Sequence, residues 1–235
     1  MRALRKRLWI AGALLWGTAA ANAQSRPALV ELFTAEGCSS CPPAEAYLGE
    51  LARRPDVLAL TFHVDYWDDL GWRDRFGLPE SVQRQRGYAS ALHLSSIYTP
   101  QVVIDGQDDF VGSDRVRIDR ALARPRAGVA ISVSVASGKV SIDLADQPGV
   151  APSDVVLVAY QRGAVSPIGR GENAGRTIQE FNIVRELRRL GRWEGQSQRF
   201  QARIDSFPPE STDVAILVQP IGQAPIIGAA SAPLR

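Results

Sequence analysis

Cysteine is scarce in this sequence: among 235 residues there are two, Cys38 and Cys41. Two cysteines cannot form a four-cysteine zinc site within one chain. They stand three positions apart in the segment GCSSCPP, so a disulfide between them would close a ring of only four residues. What such a pair can do depends first on whether the chain reaches a compartment in which thiols oxidise.

The start of the sequence lacks a hydrophobic run long enough to span a bilayer, which takes about 20 residues. Its apolar run, residues 8–21, has 14. Four basic residues precede this run: Arg2, Arg5, Lys6 and Arg7. The run ends in Ala-Asn-Ala at 21–23, the small-x-small pattern that signal peptidase cleaves. We therefore predict a signal peptide over residues 1–23, cut before Gln24, rather than a membrane anchor. The mature protein is expected in the periplasm or outside the cell.

Charge of one sign is also lacking. The sequence has 27 basic and 25 acidic residues, a formal charge of +2. Loss of residues 1–23 would leave 23 basic and 25 acidic residues, a formal charge of −2. Such a near-neutral chain gives no electrostatic reason to expect nucleic acid as a partner. The remaining residues are numerous enough to bury the core of one large or two small domains.

Hydrophobic patterning predicts an α/β domain over residues 24–126. The order is β-α-β-α-β-β-α, at residues 28–33, 44–54, 57–64, 80–94, 101–104, 109–111 and 114–124. The first three elements make a βαβ unit with parallel strands, and Asp105-Gly106 is a strong hairpin turn. The expected architecture is a mixed four-stranded sheet with helices on both faces.

From residue 127 the character of the sequence changes. Short alternating runs such as VAISVSV, KVSIDLA and VAILVQP are separated by Gly, Pro, Ser and Asp, a pattern typical of an antiparallel β-sandwich. Residues 180–193 fit either a helix or an irregular strand, and we favour a strand. Gly171–Arg176 is predicted to be a tight surface loop. A second, β-rich domain is therefore expected over residues 127–235.

The cysteine pair lies between the first predicted strand and the first helix, the setting of a thiol–disulfide site. Unpaired N–H groups and the positive end of the helix dipole stabilise a thiolate there. Pro42-Pro43 suits a first helical turn, so the helix should begin around Cys41. We predict Cys38 to be the exposed, attacking thiol and Cys41 to be the more buried thiol that resolves the mixed disulfide.

Three other interpretations of the pair remain open. A four-residue disulfide ring contributes only about 2 kcal/mol in the loop-entropy model, against about 4.7 for a hundred-residue loop, which makes a structural staple the weaker reading. Two thiolates with His63 would suit Cu(I), although His63 is also a candidate core histidine. A non-catalytic adaptor that only keeps the fold is the third.

Four segments resemble one known family: ELFTAEGCSSCPPAE, FHVDYWDDLGW, YTPQVVIDG and RGENAG are similar to secreted bacterial thioredoxin-like proteins labelled as a domain of unknown function. The resemblance implies a thioredoxin-like fold for the N-terminal domain. Thr99-Pro100 would be the X–cis-Pro step that hydrogen bonds an extended substrate, and Glu31 the buried acid that assists proton transfer. Gly37 replaces the usual tryptophan at the partner-binding lip, and Asp65 and Trp67 would form a wall beside the cysteines.

Some of these positions also have a purely structural reading. Glu31 could be held in a structural hydrogen bond, and the aromatic residues of the loop after the second strand could be packing. The function predicted from the sequence is thiol–disulfide exchange through Cys38 and Cys41 with a protein or small-molecule substrate. No cofactor is expected. The Ser39-Ser40 dipeptide does not indicate the direction of electron flow.

Overall fold

The structure is a computed structural model that describes residues 24–235. The predicted signal peptide lies outside the described residues. Over residues 24–235 no helix is long and apolar enough to cross a membrane.

The N-terminal half follows the predicted order of elements. Its strands and helices are β1 (Gln24–Ser25), β2 (Ala28–Thr34), α1 (Pro42–Leu51), β3 (Val57–His63), α2 (Pro79–Ala91), β4 (Gln101–Ile104), β5 (Asp108–Val111) and α3 (Arg115–Leu122). A short 3-10 helix, Asp68–Leu70, lies in the loop after β3. β2 and β3 pair in parallel through the α1 crossover, and β4 and β5 form the predicted hairpin.

The C-terminal half consists of strands. They are β6 (Ala127–Gly128), β7 (Ile131–Ala136), β8 (Lys139–Leu144), β9 (Ser153–Pro167), β10 (Thr177–Trp193), β11 (Gln198–Arg203), β12 (Asp213–Pro220) and β13 (Gly228–Pro233). The ambiguous stretch 180–193 is part of β10, so the favoured prediction of a strand is confirmed.

One eight-stranded sheet runs through both halves of the chain, in the order β13-β12-β9-β10-β3-β2-β4-β5. The two halves join where β10 lies parallel to β3, with Ile183 opposite Thr61. At this junction the Thr61 hydroxyl donates to Phe181 O at 2.6 Å, and Asn182 Nδ2 donates to Ala59 O at 2.8 Å. β10 thus covers the middle of the edge that β3 would otherwise expose.

The expected separate β-sandwich is therefore not what the structure contains. A three-stranded sheet, β11-β8-β7, does face β9 and β12 across an apolar core that includes Ile142, Leu157 and Trp193. However, the second layer of this packing is the continuation of the N-terminal sheet. Alternating patterns predict strands but not their partners, which is why the sequence suggested an independent domain.

Helices cover both faces of the N-terminal part of the sheet, as predicted. α1 and α3 pack on one face, against residues such as Val30 and Leu32. α2 packs on the other face, where Tyr88 lies in a core with Phe33, Phe62 and both cysteines. The disulfide-bearing segment is thus embedded between the sheet, α1 and the connections at the carboxyl ends of β2 and β3.

Candidate active site

Cys38 and Cys41 form a disulfide, with 5.4 Å between their Cα atoms. The segment that carries them leaves β2 at Thr34 and turns twice: Cys38 N donates to Ala35 O at 3.0 Å, and Cys41 N donates to Cys38 O at 3.2 Å. α1 then begins at Pro42, next to Cys41 as predicted. N–H groups in the first turn of a helix have no intrahelical partner, so proline, which lacks an N–H, is tolerated there. The two prolines therefore fix the start of α1.

Both cysteines are fully buried, and the prediction of an exposed Cys38 is wrong for the disulfide form. Ser39 and Ser40, between them, are exposed. The strand, the turn and the helix alone predict an exposed thiol at this helix start. A distant part of the chain covers it.

The cover is the connection between β9 and β10, whose residues 171–175 we call the covering tip. Asn173 is buried, and its Nδ2 donates to Glu36 O and Cys38 O, both at 2.9 Å. The carboxylate of Glu172 accepts from Ser39 N at 3.2 Å. The predicted surface loop is confirmed, since the tip is a turn in which every residue except Asn173 is exposed, and it also covers the site from 133 to 137 residues along the chain.

A second side of the site brings together three of the predicted binding positions. Trp67 Nε1 donates to Thr99 Oγ1 at 2.9 Å, and Trp67 packs against the core that contains both cysteines. Gly37 lies against Trp67, since a Cβ at Gly37 would be 3.6 Å from Trp67 Cβ. The Thr99–Pro100 peptide is cis, and Pro100 is buried. Asp65 lies instead beside Gly77, and among the described residues it makes no hydrogen bond to the cysteine segment.

Glu31, the predicted proton acceptor, is held by α2. Its carboxylate accepts from Arg84 Nε at 2.5 Å and from Arg84 Nη2 at 3.1 Å, and Tyr88 Oη donates to it as well. Glu31 is completely buried, and Arg84 nearly so. Both carboxylate oxygens are therefore engaged in a structural ion pair, the alternative that the sequence left open.

A different cluster of titratable groups is buried around His63. His63 Nδ1 lies 2.7 Å from Asp74 Oδ2, and His63 Nε2 lies 3.4 Å from Glu180 Oε2. Glu45, on α1, accepts from the Thr34 hydroxyl at 2.6 Å through Oε1. Its Oε2, His63 Nε2 and both oxygens of Glu180 have no hydrogen-bond partner within the described chain. We call Glu45, His63, Asp74 and Glu180 the buried acid cluster.

Burial and mutual repulsion change the protonation of this cluster. Burial and the nearby Glu180 carboxylate raise the pKa of Glu45 to about 8. Burial alone would lower the pKa of His63, but Asp74 and Glu180 raise it well above its usual value. Burial works against ionised Asp74, yet His63 outweighs it and leaves the pKa of Asp74 lowered. At neutral pH the cluster thus contains a protonated Glu45 and an imidazolium–carboxylate pair.

The family assignment rests on the sequence around this site and well beyond it. Residues 29–219 match the model of a family described as protein of unknown function (DUF1223). The chain belongs to this family. The matched region spans the cysteine segment, the buried acid cluster and the covering tip. No curated protein matches the chain.

The solved structures that are similar to this DUF1223 member include the following two. The X-ray crystal structure of protein AGR_C_4864 from Agrobacterium tumefaciens is 28% identical with a TM-score of 0.76, and the match covers 90% of this chain and 96% of that chain. HBP35 of Porphyromonas gingivalis is 15% identical with a TM-score of 0.59, covering 89% of this chain and 76% of that one. The second likeness concerns the fold alone.

The copper alternative required Cys38, Cys41 and His63 to converge. In the structure of this DUF1223 chain His63 faces Asp74 and Glu180, and the two sulfurs are bonded to each other. Over residues 24–235 no group of three or more His, Cys, Asp or Glu side chains is arranged to hold a metal ion.

The sequence did not indicate Glu45, Asp74 or Glu180 as site residues, and it placed Asn173 only within a predicted surface loop. Glu45 had one available signal, because it stands four residues after Cys41 on the same predicted helix, and residues four apart share a helix face. The other three come from separate loops and from β10. The sequence around each of these three residues does not predict that they lie near the cysteine pair.

Proposed function

We propose that this DUF1223 protein is an exported thiol–disulfide oxidoreductase with a thioredoxin-like fold, and that Cys38 and Cys41 are its redox pair. The observation that supports the proposal is the Cys38–Cys41 disulfide at the first turn of α1. The positive end of the α1 dipole lies beside the pair and stabilises a thiolate when the disulfide is reduced.

A structural role explains this disulfide less well. Its ring contributes only about 2 kcal/mol in the loop-entropy model. The segment is already fixed by backbone hydrogen bonds on both sides of each cysteine and by the Asn173 side chain. A staple would therefore add rigidity where the chain already has it.

The exchange proceeds in two steps. In the reduced protein the Cys38 thiolate attacks one sulfur of a substrate disulfide, which forms a mixed disulfide and releases the other sulfur as a thiolate. Cys41, once deprotonated, attacks Cys38 Sγ, reforms the Cys38–Cys41 bond and releases the second substrate thiolate. Two electrons pass from the cysteine pair to the substrate, and the reverse sequence oxidises a substrate dithiol.

The proton of Cys41 needs an acceptor, and Glu45 is the group we assign. Glu45 lies one helical turn after Cys41, its N–H donates to Cys41 O at 3.1 Å, and both side chains are buried. With a pKa of about 8, Glu45 is ionised in about a tenth of the molecules at pH 7, and this fraction accepts the proton of Cys41, whose ordinary thiol pKa is near 8.5. The protonated form returns the proton in the reverse reaction. Glu31 is left out of this step because Arg84 and Tyr88 hold it.

The exchange is tested on mature protein, residues 24–235, with insulin reduction and dithiol oxidation. We expect Cys38→Ser and Cys41→Ser each to lower turnover by about 100-fold or more, and Ser134→Ala, at an exposed position of β7 away from the site, to leave it within about twofold. Wild-type protein that catalyses neither reaction, or a Cys38→Ser variant that retains activity, would show the proposal to be wrong.

The partner is sought with the Cys41→Ser variant. Without the resolving thiol, a Cys38 mixed disulfide cannot be released internally and accumulates. The trapped species should be separable from periplasmic extract under non-reducing conditions and should disappear in Cys38→Ser/Cys41→Ser protein. Export itself is tested by determining the N-terminus of the mature protein, which should be Gln24.

A further inference from the structure

The covering tip contacts the cysteine segment through three hydrogen bonds to its backbone. Asn173 donates to Glu36 O and Cys38 O, and Glu172 accepts from Ser39 N. These groups flank the disulfide on both sides of Cys38. The tip therefore binds the part of the chain that a reacting substrate has to approach.

The tip is a formed turn that rests on an aromatic support. Gly171 and Gly175 have φ angles of 75° and 81°, which favour glycine, and Gly175 N donates to Ile168 O at 2.8 Å. A Cβ at Gly171 would lie 3.2 Å from Trp72 Cβ. The Trp72 indole in turn donates to Glu36 Oε2 at 2.6 Å. The turn can therefore leave the site as a unit by breaking its few contacts there.

Attack on a disulfide requires a nucleophile to reach one sulfur in line with the S–S bond. Both cysteines have no exposed surface, so a nucleophile cannot reach either sulfur in this state, and the tip is bonded to the backbone of Cys38 and Ser39 on the side that α1 and the sheet leave open. A segment held mainly by a few polar contacts opens at a smaller free-energy cost than the whole fold. The site consequently has a closed state, which the structure shows, and needs an open state in order to react.

The tip also brings a negative charge to the redox pair. The hydrogen bonds from Ser39 lower the pKa of Glu172, so its carboxylate is ionised at neutral pH. That carboxylate accepts a hydrogen bond from Ser39 N, in the turn between the two cysteines. Its negative charge at this position repels a Cys38 thiolate. A charge in this position favours the disulfide over the reduced, thiolate-bearing form.

We propose that the covering tip is a gate on the redox pair, with Asn173 as the residue that holds it closed and Glu172 as a positioning residue that lowers the reduction potential. The inference deepens the proposed function, on which its biological meaning rests. Reduction removes the disulfide and adds charge at Cys38, which weakens tip docking. The docked tip thus protects the disulfide in the oxidised protein, and it opens in the reduced protein so that a substrate can reach Cys38.

The closing role is tested on the oxidised protein with a water-soluble phosphine, which reduces the disulfide without any substrate. Asn173→Ala should be reduced about tenfold faster than wild type or more, the size expected from the loss of two hydrogen bonds. Asn182→Ala is the matched control, because Asn182 donates one side-chain hydrogen bond to a backbone carbonyl from the same strand region, away from the disulfide. Equal acceleration in both variants would mean that reduction follows global unfolding, and no acceleration in Asn173→Ala would mean that the tip is no gate.

The charge role is tested with Glu172→Gln, an exposed substitution with no folding risk that keeps a hydrogen-bond acceptor. The equilibrium constant for disulfide formation against glutathione should fall about two- to threefold at low salt, and the difference should vanish near 1 M salt. Glu194→Gln, at the other end of β10, should change nothing. An unchanged equilibrium constant in Glu172→Gln would remove Glu172 from the proposal.

These measurements use the protein's own disulfide. If wild type catalyses no exchange but Asn173→Ala is reduced faster, the gate stands and the proposed function fails. If exchange is catalysed and the phosphine rates are equal, the function stands and the gate fails.

Discussion

Two buried glutamates show how environment assigns roles to the same residue type. Glu31 lies on β2 and is neutralised by Arg84, whereas Glu45 lies on α1 among other acids and has a pKa of about 8. The family resemblance pointed to Glu31 as the buried acid that assists proton transfer. The structure distinguishes the two by their partners, since only Glu45 is without a cationic hydrogen-bond partner.

We predict that Glu45→Gln slows resolution of the Cys38 mixed disulfide by about 100-fold at pH 7, the usual size of a general acid–base contribution. It should also remove the dependence of the resolution rate on a group with a pKa of about 8. Glutamine keeps an acceptor for the Thr34 hydroxyl, so the fold should be retained. The measurement is single-turnover release of a labelled peptide thiol between pH 6 and 9.

Glu31→Gln is the matched comparison. It leaves Arg84 buried without its charge partner, so it should lower the free energy of unfolding by about 3–5 kcal/mol. Its pH profile for resolution should remain that of wild type. If instead Glu31→Gln abolished the pH dependence and Glu45→Gln did not, the assignment of the proton acceptor would be reversed.

At the scale of elements, the contact between α1 and β10 fixes the helix that carries the redox pair. Gly49 of α1 faces Phe181 of β10, and a Cβ at Gly49 would lie 2.5 Å from the Phe181 ring. The sequence predicted the helix from its apolar stripe but gave no reason for a glycine in its interior. Close approach of a strand from the other half of the chain supplies that reason.

Gly49→Ala is therefore expected to destabilise the protein. Helix propensity alone would stabilise it by about 1 kcal/mol, but overpacking against Phe181 costs about 1–3 kcal/mol. We expect the free energy of unfolding to fall, as measured by denaturant titration of oxidised protein. Gly49→Ala combined with Phe181→Ala should recover part of the loss, and an increase in stability for Gly49→Ala alone would contradict the predicted contact.

At the scale of the whole molecule, the buried acid cluster couples stability to pH. The pKa of Glu45 is raised in the folded protein, so its contribution is fully present below about pH 4.5 and is lost as the pH rises through about 8. His63, whose pKa is also raised, behaves in the same direction. Asp74, with a lowered pKa, loses its contribution only at acidic pH.

We accordingly predict that the free energy of unfolding of the oxidised protein falls between pH 5 and pH 9 by more than about 2 kcal/mol, since each pKa unit corresponds to about 1.4 kcal/mol. Denaturant titrations at pH 5, 7 and 9 measure this, and Glu45→Gln should show a flatter dependence. Stability that rises from pH 5 to pH 9 would contradict the protonation state assigned to the cluster.

Local sequence patterns were enough to predict the framework of the site: the strand, the turn with its two cysteines, the helix that starts near Cys41 and the parallel return strand. These follow from short-range periodicity and from the chemistry of proline and glycine. Three features became visible only in the folded chain: β10 continues the sheet, Asn173 hydrogen bonds the backbone of Cys38, and Glu45 and Glu180 share one buried site. Such contacts join residues more than a hundred positions apart, and their free energy depends on burial that no local pattern contains.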